Sequence, residues 1–257
     1  MNLYYRELGT ETPPIIILHG VFGSCDNWLT VSKGLAEIHK VYLLDARNHG
    51  QSPHSDEFNY QVMAEDLHEF IQQHQLMNPI LIGHSMGGKT VMKYAADYPN
   101  EFSKMIVVDI SPRYYPPHHQ SILEGLSAIS LETLESRQEA DDILKKFEPV
   151  LGVRQFLLKN LYRNEQNRFD WRMNFKIIKS KIENIGEALD ESAKITRPTL
   201  FIRGANSTYI QERDTTLIKT IFSDVQIATV EGAGHWVQAE KPKEFLEVVK
   251  NFLEVNN

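Results

Sequence analysis

The sequence predicts an α/β protein, a mostly parallel sheet flanked by helices with a helical cap inserted near its middle. Three observations carry this reading. Short uninterrupted β-rich runs, such as Ile15-Ile16-Ile17-Leu18 and Val41-Tyr42-Leu43-Leu44, suit strands covered on both faces. Amphipathic helical patterns separate these runs, and such alternation makes a parallel sheet with right-handed crossovers. From about residue 111 to 196, strand-like runs give way to helical spacing. The expected division is a core of residues 1–110 and 197–257 around a cap of residues 111–196.

Size and composition narrow the class. At 257 residues the chain can bury a large core, and α/β folds of this size are often one domain. No run approaches the ~18 apolar residues of a membrane span, and Met1 to Glu7 lacks the apolar core of a signal peptide. Cys25 is the only cysteine, so an internal disulfide is excluded and a reducing cytoplasm is expected. The net charge of −7, with no basic stretch to offset it, argues against a nucleic-acid partner.

Taken in order, Leu3 to Leu8 reads as an edge strand and Thr10 to Pro14 as a turn. The run Ile15 to Leu18 ends in the loop His19-Gly20-Val21-Phe22-Gly23-Ser24, which leads to a helix through Trp28, Val31 and Leu35. After Val41 to Leu44 comes Asp45 to Ser52, where Asp45 and Arg47 are expected as a buried pair and Gly50 as a turn residue. A helix carrying Val62, Leu67, Phe70 and Ile71 follows. Ile80 to Ile82 is the next strand, then a helix to about Tyr98-Pro99, then the strand Met105 to Val108 with Asp109 at its end. In the cap, helical spacing joins Ile122, Leu126 and Ile129; Ile143, Leu144 and Phe147; Phe156, Leu157 and Leu161; and Ile177, Ile178, Ile182 and Ile185. Phe169 to Phe175, apolar at every second residue, is extended. The sheet resumes at Pro198 to Arg203 and at Gln226 to Val230, and one last helix is expected from about Trp236 to Leu253.

The chemistry centres on Gly83-His84-Ser85-Met86-Gly87, set between an apolar strand and a helix. Strand, G-x-S-x-G, helix is the context of a nucleophile elbow. Gly83 and Gly87 leave room for the tight turn, and Ser85 projects from it at the positive end of the helix. A serine needs a base within reach. His235, flanked by glycines just past the last strand, shares the carboxyl edge of the sheet with Ser85. His19 and His84 read as packed residues bonding backbone beneath the loops, and Cys25 as packing.

The acid that orients the imidazole is assigned to Asp109. The loop after Arg203, Gly204-Ala205-Asn206-Ser207-Thr208-Tyr209, has no carboxylate, and Glu212 and Asp214 come too late. Asp109 stands directly after an apolar strand at the correct edge, where a carboxylate is costly without a partner. Ser207 then fills the vacated position and bonds His235 or Asp109. For the oxyanion, one donor is the N–H of Met86; the other is Val21 or, second, Phe22. His118 and His119 are adjacent and lack further ligands at metal spacing, so no metal is assigned. Phe22, Trp171, Phe175 and Trp236 are aromatic candidates for the substrate pocket.

These stretches resemble the α/β-hydrolase superfamily, in particular its small bacterial esterases of the YbfF type. The resemblance rests on His19 to Ser24, Asp45 to Ser52, Gly83 to Lys89, Val108-Asp109-Ile110-x-Pro112, Phe169-x-Trp171-Arg172-x-Asn174 and Gly232 to Trp236. It implies an esterase or thioesterase with its acid after the earlier strand and a serine, here Ser207, at the usual acid position. It also implies a cap that forms an acyl pocket, short-to-medium esters or acyl-CoA thioesters as substrates, and no cofactor. Ser85 at the elbow argues against the dehalogenases and epoxide hydrolases of this fold, which use aspartate. A carbon–carbon bond hydrolase on the same residues and a non-catalytic binding protein remain the alternatives.

Overall fold

The computed structural model describes residues 1–255. The first 110 residues lay down β1 (Tyr5–Leu8), β2 (Ile15–Leu18), α1 (Leu29–Leu35), β3 (Val41–Leu44), α2 (Tyr60–Gln73), β4 (Ile80–His84), α3 (Met86–Asp97) and β5 (Lys104–Val108). The insertion contributes α4 (Gln120–Ser127), α5 (Arg137–Leu144), α6 (Leu151–Leu158), the hairpin β6 (Leu161–Arg163) and β7 (Phe169–Trp171), and α7 (Phe175–Ser180). The chain returns through β8 (Thr199–Gly204), α8 (Asp214–Ile221), β9 (Val225–Val230), α9 (Val237–Glu240) and α10 (Pro242–Val255). No described helix is long and apolar enough to cross a membrane.

The main sheet runs β1-β3-β2-β4-β5-β8-β9, with only β1 antiparallel to its neighbour. Successive strand residues point to opposite faces, and each face meets its own apolar layer. Ile16, Leu18, Leu81, Met105, Val107 and Phe201 face one layer. Ile15, Ile17, Ile80, Ile82, Ile106 and Ile202 face the other. Burial on both sides is why these runs are apolar without interruption, each side chain contributing ~1.5–3 kcal/mol. Parallel pairing also brings the loops after β2, β4, β5, β8 and β9 to one edge.

Several local expectations are corrected. Arg47 does not pair with Asp45: its guanidinium grips Asp66 of α2 at 2.6 and 2.9 Å. Asp45 instead accepts the backbone N–H groups of Cys25 at 2.7 Å and Gln51 at 2.8 Å. A Cβ on Gly50, at φ +54°, would fall 2.0 Å from that carboxylate. Leu161 belongs to a strand rather than a helix, and Phe175 begins a helix. The last helix is broken at Lys241 (φ −135°, ψ 61°), because the residue before Pro242 is pushed out of helical geometry.

The insertion is tied down by Lys89 of α3. Its buried ammonium donates to the carbonyls of Pro112 (3.0 Å) and Arg113 (2.5 Å) where the insertion begins, and Glu187 (2.7 Å) in its last stretch before β8. One cation thus satisfies carbonyls from both connecting segments, which burial would otherwise leave unpaired.

Candidate active site

The loop between β4 and α3 holds Ser85 at φ +52° and ψ −115°, a strained conformation for a side-chain-bearing residue. Its N–H donates to Val108 O at 3.0 Å, and its carbonyl accepts from Lys89 N at 3.0 Å. The flanking glycines are sterically required. A Cβ on Gly83 would meet Gly87 O at 2.2 Å, and one on Gly87 would meet Leu18 O at 2.4 Å. The serine is thereby fixed at the N-terminus of a 12-residue helix, where the helix dipole favours developing negative charge.

Asp109 follows β5, at φ +50° and fully buried. Its backbone N–H extends the ladder to Ile202 O at 2.8 Å. One carboxylate oxygen accepts the Gly204 N–H at 3.1 Å. The other accepts the Ser207 hydroxyl in a short hydrogen bond and lies 2.8 Å from His235 Nδ1. Ser207 Oγ in turn accepts the Tyr209 N–H at 3.2 Å, which leaves its proton for the carboxylate. Of the two bonds weighed for Ser207, the one to Asp109 forms. Glu212 lies on the surface, 88% exposed, and Asp214 is bound to Arg113 at 3.0 Å.

His235 is held by its surroundings. Its carbonyl lies 2.9 Å from His84 Nε2, and Glu240 accepts the N–H groups of Gly234 (2.7 Å) and Trp236 (3.2 Å). The Tyr209 ring stacks on the imidazole at 3.9 Å and 16°. Donation from Nδ1–H to Asp109 leaves the lone pair on Nε2. Burial, reinforced by nearby His118, pushes the His235 pKa down. Burial pushes the Asp109 carboxyl up, opposed by the hydrogen bonds from Ser207 and Gly204. Near neutral pH the pair is therefore a carboxylate beside a neutral imidazole, the state a general base requires.

Ser85 and His235 line one cavity of about 590 Å³, with Val21, Phe22, Phe156 and Trp236 also in its wall. Ser85 Oγ has no hydrogen-bond partner among the described residues, and hydrogen bonds of catalytic groups are often long before substrate binds. Trp171 and Phe175 do not line this cavity. With Phe169 and Met173, Trp171 turns into an apolar cluster that the insertion shares with Phe22, Phe58, Met63 and Met86, and Phe175 packs against it. The alternation that marks the segment as extended places its apolar side chains on this cluster.

Met86 opens α3, so its N–H belongs to the helix's unpaired donors. In the loop after β2, the Phe22 N–H donates to His49 Nε2 at 3.2 Å. Val21 N–H has no partner among the described residues, which separates it from Phe22 as the loop donor. His19 and His84 bond backbone groups as expected: His19 lies 2.8 Å from Gly20 O and accepts Ala46 N–H at 3.0 Å. The contacts of His49, Tyr209 and Asn160 are not legible in the sequence, because each reaches across 26 or more positions through backbone or ring contacts.

Comparison with known proteins agrees with this fold. A sequence model of the alpha/beta hydrolase fold matches residues 13–242. A solved marine microorganism esterase is 40% identical, with a TM-score of 0.95, over 97% of this chain and 98% of that one. The sn-1-specific diacylglycerol lipase ABHD11 of Mus musculus is 37% identical over 249 residues, 94% of this chain and 81% of the relative. Esterase YbfF of Escherichia coli K12 is 34% identical over 241 residues, 93% of this chain and 92% of the relative.

Proposed function

The chain belongs to the alpha/beta hydrolase fold family, and from that premise we propose that it cleaves short-to-medium acyl esters or thioesters, acyl-CoA among them, through an acyl-enzyme on Ser85. Its relatives are named esterases and lipases, and the chain is a carboxylesterase-type hydrolase. The observation that carries the mechanism is the fixed pair of Asp109 and His235, 2.8 Å apart, at the cavity that also holds Ser85.

In the first half-reaction Ser85 Oγ bonds the substrate carbonyl carbon while its proton passes to His235 Nε2. The imidazolium is stabilised by the Asp109 carboxylate, which stays ionised. The carbonyl oxygen, now negative, accepts from Met86 N–H and Val21 N–H. Collapse breaks the bond to the leaving alkoxide or thiolate, which takes the proton from His235. A water then repeats the sequence on the acyl-enzyme, releasing the acid and returning the proton to Ser85. Ser207 and Gly204 hold the carboxylate in the plane the imidazole needs. The cap, taken as residues 111–196, supplies Phe156 to the apolar wall. The single, buried Cys25 supports a cytoplasmic setting.

Intact-protein mass after treatment with a fluorophosphonate tests this reading. One adduct on the wild type, absent from Ser85→Ala, is expected. A folded wild type that takes up neither that probe nor a small sulfonyl fluoride overturns it. A series of p-nitrophenyl esters and acyl-CoAs then sets the acyl-chain length and the ester-to-thioester preference.

A further inference from the structure

The segment Asp45 to Ser52 is dense in polar residues that the hydrolytic cycle does not use, and the cap has a buried asparagine aimed at the core. Both converge on Phe22. Gly23 N–H bonds Gly20 O at 3.0 Å, closing a four-residue turn with Val21 and Phe22 at its centre. Phe22 has φ +61°, the type II geometry that ordinarily calls for glycine or asparagine at this position. A phenylalanine persists there only where its surroundings over-determine the conformation.

The surroundings do so from two sides. His49 is fully buried, with Nδ1 2.9 Å from Arg47 O; donation there leaves Nε2 to accept the Phe22 N–H at 3.2 Å. Burial keeps the His49 imidazole neutral, pulled down to about 3, and neutrality is required because a protonated ring would set an N–H against an N–H. Asn160 lies between α6 and β6 of the cap, almost wholly buried, and its amide donates to Phe22 O at 2.7 Å. The same Nδ2 donates to Leu157 O at 3.2 Å, and the Asn160 carbonyl accepts Arg172 N–H at 2.8 Å. The cap also grips the intervening loop: Asn174 donates its backbone N–H to Asn48 O at 2.8 Å and its side-chain amide to Asn48 Oδ1 at 3.1 Å.

We propose that Asn160 of the cap and His49 are positioning residues of the oxyanion hole, locking both peptide groups of Phe22 so that the adjacent Val21 N–H is held at the cavity. The proposal rests on the esterase reading above and assigns the cap a part in transition-state stabilisation besides walling the cavity. With either bond lost, the strained turn is free to relax by rotating its central peptide, and the donor beside it shifts. Removing an oxyanion donor costs ~10²–10³ in kcat, so displacing one should cost about 10- to 100-fold.

The test measures kcat and KM on p-nitrophenyl butyrate and the affinity for a butyl trifluoromethyl ketone, whose adduct on Ser85 carries the oxyanion. Asn160→Leu should lower kcat and ketone affinity by the same factor, about 10- to 100-fold, with KM within about threefold. Asn160→Gln, which retains a donor, should recover part of the loss. His49→Leu and His49→Gln form a second pair, the glutamine oxygen standing in for Nε2, and serve where Asn160→Leu fails to fold. A rise in KM with kcat and ketone affinity unchanged would mark a pocket wall only and overturn the proposal. So would variants within twofold of a wild type that still labels at Ser85, with the esterase reading left standing. A wild type that neither labels nor turns over esters overturns both.

Discussion

The two sides of Ser85 are built by different means. On the proposed acid side, identity is in the side chains: Ser207 and His235 each bond Asp109 directly, and all three come from loops at the carboxyl edge of the core sheet. On the proposed oxyanion side, the donors are backbone N–H groups, and residue identity enters one step back, at His49 and Asn160, which bond the Phe22 backbone. The acid side is complete within the core, whereas the oxyanion side borrows a contact from the cap. Substitutions should therefore act steeply and locally on the first, and through geometry on the second.

The largest effects fall on the shared atoms. Ser85→Ala and His235→Ala should each abolish ester hydrolysis, a loss of roughly 10⁴- to 10⁶-fold, with circular dichroism unchanged. Asp109→Asn should cost about 10⁴-fold, the scale of misorienting the imidazole in a serine protease. Wild-type turnover in that variant would move the acid role to another carboxylate and remove the acid side of the comparison. Ser207→Ala removes one hydrogen bond to Asp109 and leaves Gly204 and His235 in place. A loss of about tenfold in kcat is expected, the kinetic equivalent of ~1.4 kcal/mol. A loss as large as that of Asp109→Asn would make Ser207 a full partner of the acid.

The pH profile sharpens the same contrast. Protonation of the Asp109–His235 pair removes the base, so kcat/KM should fall as pH decreases and stay level through neutral pH. The midpoint should lie below 6.5, the ordinary imidazole value, because burial disfavours the imidazolium. An acid limb centred above 6.5 would contradict that direction. The smallest effect on turnover is expected from Lys89→Met. Unpairing three carbonyls at the two ends of the insertion should lower stability by ~2–3 kcal/mol in urea unfolding and increase proteolysis within residues 111–196. Turnover at 25 °C should stay within threefold.

The same difference explains what the sequence made legible. The elbow was readable because two glycines at fixed spacing have a steric cause, and a buried carboxylate after an apolar strand had to have a partner. The loop after β8 lacks a carboxylate, which directs attention to Asp109 one strand earlier, and Ser207 of that loop bonds it. The oxyanion side left no such mark, since a backbone N–H is present at every residue but proline. Arg47 was misassigned to the near Asp45 because its true partner, Asp66, is 19 residues away on α2. Trp171 and Phe175, candidates for the pocket, lie outside the cavity wall, since aromatic character alone does not say which cluster a segment faces. The break before Pro242 was readable from the proline, but the apolar periodicity on either side of it favoured one continuous helix.

The order of the pieces along the chain has a bearing on synthesis. Ser85 and Asp109, the proposed nucleophile and acid, are both present once the polypeptide reaches residue 109, but His235, the proposed base, comes 126 positions later, beyond β9. A ribosome-bound chain that has emerged only to residue 230 lacks His235, the imidazole proposed to take the proton from Ser85. Growing chains should thus be silent toward cellular acyl esters, and hydrolysis should begin as a step late in elongation, when the last sheet strand and its loop are in place.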